Sequence, residues 1–196
     1  MPGHIARWKA EHANYRKLVD LLEAQTGIFA RGEQPDYGLV ADTVHYLTQY
    51  ADRFHYPREG FAFKRLAQHL PEAGRLIDVL ARQHRAIEKG GTTLAAELAA
   101  VVGGVMLVRS ALVGDVRRYV TILRRQLEKE EREIFPHLAA RLTDEDWFLV
   151  DPAIHFNADL LSGESVQARF RTIRRQIADA LGCGCEDPVE RVCCLD

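Results

Sequence analysis

The sequence predicts an all-α protein built as a four-helix bundle, with a short additional C-terminal helix. Three observations predict it. Apolar residues recur every three or four positions along four long segments, the period of a helix with one buried face. Clusters of glycine and proline fall between those segments. Strand-like alternation is weak throughout, and no internal repeat is visible.

Residues 4 to about 26 read as the first helix, with Ile5, Trp8, His12, Tyr15, Val19 and Leu22 on one face. Gly27 begins its stop, and residues 32–35 continue the loop. Residues 37 to about 69 read as the second helix. Its stripe is Leu47, Ala51, His55, Glu59, Ala62 and Leu66. Pro57 interrupts it, frees the carbonyl of Arg53 and predicts a kink. Residues 72–89 read as the third helix, ended by Gly90-Gly91, with a short helical piece over 92–101. Residues 105 to about 141 read as the fourth. Its stripe is Leu112, Val116, Tyr119, Leu123, Gln126, Glu130, Ile134 and His137. Thr143 to Asp146 forms a capping-box pattern ahead of a short apolar turn. Residues 164–181 read as a last amphipathic helix, and 182–196 as a disordered, cysteine-containing tail.

Composition narrows the function classes. The chain has 196 residues and a net charge of −2, which gives no reason to expect nucleic acid or an anionic membrane as partner. No apolar run reaches the roughly 18–20 residues that span a bilayer, and the first residues lack the apolar core of a signal peptide. A cytoplasmic location is the expectation. All four cysteines (Cys183, Cys185, Cys193, Cys194) lie in the tail, so no disulfide framework holds the domain.

The chemistry lies in ionisable groups placed on apolar stripes. His55 and Glu59 are four residues apart on one helical face. An unpaired buried carboxylate costs several kcal/mol or takes up a proton, so the pair needs an interior partner, and a metal ion is the obvious one. The first helix brings His12 to the core, the third His84, and the fourth Gln126 and Glu130. Bundle cores are where such stripes converge and where metal sites are built. Mixed imidazole and carboxylate ligands suit iron, manganese or zinc better than magnesium or calcium. The Glu-x-x-His motif of ferritin-like bundles and the His-Glu-x-x-His motif of zinc proteases are both absent. His4, His45, His69, His137 and His155 lack such a setting and read as structural or surface residues.

Several pieces together resemble the hemerythrin-like, or HHE cation-binding, family. They are Glu11-His12, the run from Phe54 to Glu59 with Phe63 after it, Gln83-His84 with Glu88, and the run from Glu130 to Pro136. The resemblance covers about residues 4–180, within a domain expected over 4–181. It implies an up-and-down bundle holding two iron ions bridged by oxygen and two carboxylates. His12, His55, Glu59, His84 and Glu130 match family ligands, with Glu59 and Glu130 as the bridging pair. Gln126 stands where the family has a histidine, which would leave one metal position with only His12 as a strong nitrogen ligand. Three arrangements stay open: a weakly held second ion, a single ion centred on His55 and His84, or a substitute ligand such as Glu88. The resemblance implies binding or sensing of oxygen, another small diatomic ligand such as nitric oxide, or iron. Iron donation to damaged iron–sulfur clusters and a degenerate interaction bundle are the alternatives. The expected assembly is a monomer or small homo-oligomer.

Overall fold

The computed structural model describes residues 2–150, which are helical almost throughout, with no strand among them. The predicted helix at 164–181 and the cysteine tail lie outside the described residues. Four long rods account for the fold. The first is α1 (Pro2–Ala30). The second runs through α2 (Tyr37–Tyr46), a π-helical segment (Leu47–His55) and α3 (Tyr56–His69). The third is α4 (Gly74–Val102), entered through a 3-10 turn at Pro71–Ala73. The fourth runs through α5 (Arg109–Lys129), a π-helical segment (Glu130–Ile134) and α6 (Phe135–Arg141). The rods pack α1 on α5, α4 on α5, α2 on α4, and α3 on α6. No described helix is long and apolar enough to cross a membrane.

The helix ends follow from local chemistry. The Asp36 carboxylate caps α2 by accepting from the Leu39 N–H at 2.9 Å. The first helix passes through Gly27, where its stop was expected, and ends ahead of Gly32, whose φ of 88° suits a residue without a side chain. The fourth rod starts later than expected, at Arg109, after a loop in which Gly104 has φ 85°. The capping box is present: the Asp146 carboxylate accepts from Thr143 N–H and Oγ1–H, both at 3.0 Å, and the Thr143 hydroxyl accepts from Asp146 N–H at 3.2 Å. The same buried carboxylate also holds Arg65 Nε at 2.7 Å and His69 Nε2 at 2.8 Å, tying α3 to the following helix, 144–150.

The expected break at Gly90-Gly91 is not there, because α4 runs straight through both glycines. Their role is close approach. A Cβ on Gly91 would lie 2.5 Å from Thr48 Cγ2, and one on Gly90 would lie 3.3 Å from the Tyr119 ring. Thr48 cannot swing aside freely, since its hydroxyl donates to the Val44 carbonyl at 2.9 Å. Gly91→Ala is therefore expected to destabilise the protein by about 1–3 kcal/mol despite alanine's better helix propensity. Gly90→Ala should change stability by less than about 1 kcal/mol. Thermal melts of the two variants check the contrast.

The core is split in two. One apolar cluster contains Tyr15, Ala51, Ile87 and Leu123, and the other contains Trp8, Phe63, Leu80 and Ile134. Between those positions on the four rods stand His12, then His55 and Glu59, then His84, then Gln126 and Glu130. A polar layer thus separates two apolar halves.

Candidate metal centre

Both π-helical segments end just before a proline, at His55-Tyr56-Pro57 and Ile134-Phe135-Pro136. In each, an N–H reaches five residues back: Tyr56 to the Ala51 carbonyl and Phe135 to the Glu130 carbonyl. Proline lacks an N–H and crowds the carbonyl four residues back, and a widened turn relieves that crowding. The widening also aligns the ligand candidates. An α-helix rotates residues four apart by about 40°, so a run of steps of four such as Leu47, Ala51, His55 and Glu59 would drift off one face. The wide turns hold that run, and Gln126-Glu130-Ile134, toward the interior. Ahead of Pro57, where a kink was expected, the turn is widened.

His12, His55, Glu59, Gln126 and Glu130 are all fully buried, and His84 has 13% of its side chain exposed. Two groups can hold a metal ion: His12 with His55 and Glu59, and His84 with Glu59 and Glu130. Glu59 belongs to both. Its Oε1 lies 3.2 Å from His55 Nε2 and 3.4 Å from His12 Nε2, while its Oε2 lies 3.6 Å from His84 Nε2. Glu130 also faces both, with Oε1 2.8 Å from His84 Nε2 and Oε2 3.6 Å from His12 Nε2. Gln126 stands beside His84, with Nε2 to Nε2 at 3.0 Å. The grouping differs from expectation. His12 groups with His55, and His84 is the one imidazole of the second group. Neither group among the described residues joins His55 with His84. Glu88 is exposed and belongs to neither group.

Outside these groups the imidazoles are unequally supported. His55 Nδ1 donates to Glu11 Oε2 at 2.6 Å, and the same oxygen accepts from Arg58 Nη2 at 2.7 Å. His12 Nδ1 donates to Glu131 Oε1 at 3.0 Å, which accepts from Arg16 Nη2 at 2.8 Å. Glu11, Arg16, Arg58 and Glu131 were not singled out as site residues in the sequence. They lie off the apolar stripes, and the signals are that Glu11, Arg58 and Glu131 each adjoin a candidate ligand and fall within the pieces that carry the family resemblance. Aromatic rings pack against two of the imidazoles. Tyr15 meets His55 edge-on at 5.1 Å, and Tyr56 stacks on His84 at 4.2 Å.

The electrostatics call for a cation. With both Nδ1 atoms donating outward, His12 Nε2 and His55 Nε2 face each other at 2.9 Å, which requires a shared proton or a positive ion between them. Burial alone would lower the His55 pKa, yet Glu59 and Glu11 push it up to about 9. Burial would raise Glu59, but His55 and His12 hold it well below the usual carboxylate range. Glu130 is raised by burial and by the charge of Glu59. His84 Nε2 cannot both donate to Glu130 and accept from Gln126. Turning that amide would present Oε1 instead. On the candidate ligands themselves, four buried acceptor oxygens have no hydrogen-bond partner: Glu59 Oε1 and Oε2, Glu130 Oε2 and Gln126 Oε1. Three imidazoles and two carboxylates with orphaned oxygens fit a transition-metal ion.

The other histidines stand apart. His69 pairs with Asp146, His4 stacks on Trp147 at 4.8 Å, and His137 is exposed. His155 lies outside the described residues. No curated protein and no solved structure matches the chain. Residues 3–138 match the family model described as the hemerythrin HHE cation binding domain.

Proposed function

Because this chain belongs to the hemerythrin HHE cation-binding family, we propose that it is a non-haem iron protein that binds or senses oxygen or another small diatomic ligand. Two ions are assigned. His12, His55 and Glu59 hold one; His84, Glu130, Gln126 and the second oxygen of Glu59 hold the other. Glu59 and Glu130 bridge them. The observation that carries this reading is that each of two buried carboxylates turns one oxygen toward each histidine group. Exposed Glu88 takes no part.

Reduced iron with an open coordination position supplies the affinity for a diatomic molecule. The chain supplies the dry surroundings, with Trp8, Tyr15, Leu80, Leu123 and Phe135 all fully buried. An up-and-down bundle is supported by the way successive rods meet the two apolar clusters in alternating order. The net charge of −2 fits a cytoplasmic protein working without nucleic acid or membrane.

A second reading, iron donation, is favoured by one observation. The single-imidazole position includes His84, which reaches solvent, unlike His12 and His55.

Metal content per chain and the ultraviolet–visible spectrum of protein purified in air test the reading. About two irons per chain, with the near-ultraviolet bands of a bridged di-ferric pair, are expected. Zinc alone, or no metal, overturns the iron reading. Iron that passes readily to an apo-cluster acceptor favours donation.

A further inference from the structure

Resting on that reading, we propose that the two metal positions are unequal by construction, with Glu11 and Glu131 as the positioning residues that make the His12–His55–Glu59 position load first. The argument starts from the outward nitrogens. A metal-binding imidazole whose Nδ1–H is held by a carboxylate is locked in the tautomer and orientation that present Nε2 to the ion, and it becomes a better donor.

Both imidazoles of the first position have such a partner, each braced by an arginine. Glu11 on α1 grips His55 on the second rod, and Arg58 closes the triangle by donating from Nε to the Phe54 carbonyl at 2.8 Å and from Nη2 to Glu11 at 2.7 Å. Arg58 is itself buried. Glu131 on the fourth rod grips His12 on α1, with Arg16 behind it. The two grips therefore lock three rods around one position.

The second position lacks this support. The hydrogen bonds of the His84 ring to described side chains are both made at Nε2, and the half-buried Asp52 carboxylate acts on the ring only through its charge. The ring is held by stacking on Tyr56 at 4.2 Å and by Phe63 at 6.2 Å, contacts that fix its plane without a hydrogen bond to Nδ1. The rest of its donor set is oxygen: Glu59, Glu130 and the amide of Gln126. One position is thus rich in braced nitrogen, and the other pairs one unbraced nitrogen with oxygens. The first suits tight retention and the second suits exchange, on the side of the site where His84 reaches solvent.

The test is titration of the metal-free full-length protein with cobalt(II), read by its visible absorption bands and by calorimetry. Two steps at least about 10-fold apart are expected. Glu131→Gln and Glu11→Gln should each weaken the tighter step by about 10–100-fold and leave the weaker step within about 3-fold. Glu131→Asp should recover part of the loss, which a merely structural role would not predict. Arg16→Ala, at a half-exposed side chain, provides a variant that threatens the fold less and should shift the same step. His84→Ala should remove only the weaker step. Two indistinguishable steps, or glutamine variants that weaken both steps equally, overturn the inference and leave the metal-site reading standing. A wild-type chain that takes up no cobalt overturns the metal-site reading itself.

Discussion

Glu59→Ala is expected to remove metal from both positions, lowering affinity by at least about 100-fold at each. Glu59 is the one residue common to both groups, and each of its oxygens faces a different one. Its loss takes a ligand and a negative charge from two positions at once. Glu59→Gln keeps the volume and removes the charge, so it separates the two contributions. The amide supplies one neutral oxygen and should retain at most a single weakly held ion. His84→Ala provides the contrast, because it touches one group only. Metal per chain after purification and dialysis, with helical circular dichroism as the check on folding, reads all three variants. A Glu59→Ala protein that keeps its full metal load would remove the bridging role.

The second large effect is a pH dependence that differs between metal-free and metal-loaded protein. In the metal-free chain the His55 pKa rises from the usual 6.5 to about 9. A group raised on folding contributes stability that is complete below its unfolded pKa and is lost as pH rises through the folded one. The metal-free protein should therefore lose on the order of 3 kcal/mol between pH 6.5 and 9. Glu59 acts in the opposite sense, since its carboxyl is held low. Its contribution is present above its unfolded pKa of 4.5 and is lost in acid. The metal-free protein should accordingly be most stable at mildly acidic pH. A metal ion competes with the shared proton for the same imidazoles, so its affinity rises with pH. The gap in melting temperature between loaded and metal-free protein should widen by roughly 10 °C from pH 6.5 to 9. Taking the difference cancels the groups remote from the centre. A gap constant with pH would show that no ligand proton is displaced on binding.

The stripes made much of this centre legible in the sequence. His12, His55, Glu59, His84, Gln126 and Glu130 each interrupt an apolar face, and helical periodicity alone brings them to one layer. What periodicity cannot say is which residues of that layer are neighbours. Gln126 was expected to weaken the position of His12, and it stands beside His84 instead, because rotation of one rod against another is set by packing. Glu88 follows His84 on the same helix, yet it is exposed, one turn of about 5.4 Å along the axis. Gly90 and Gly91 read as a stop, since a local pattern holds no trace of Thr48 and Tyr119 pressing from other rods. The wide turns were readable in retrospect. Steps of four repeated ahead of Pro57 and Pro136 do not fit a regular helix that keeps one face inward.

The split core bears on how the molecule comes apart. An uninterrupted core melts as one cooperative unit, because loss of any part exposes the rest. Here the apolar residues near Trp8 and Phe63 communicate with those near Leu47 and Leu123 across a band of imidazoles and carboxylates. Without an ion that band is expected to act as a seam, with each half opening at its own free energy. An ion that draws ligands from all four rods fastens the halves together. Metal loading should then appear in hydrogen exchange as a merging of two protection levels into one, a change of cooperativity as much as of stability.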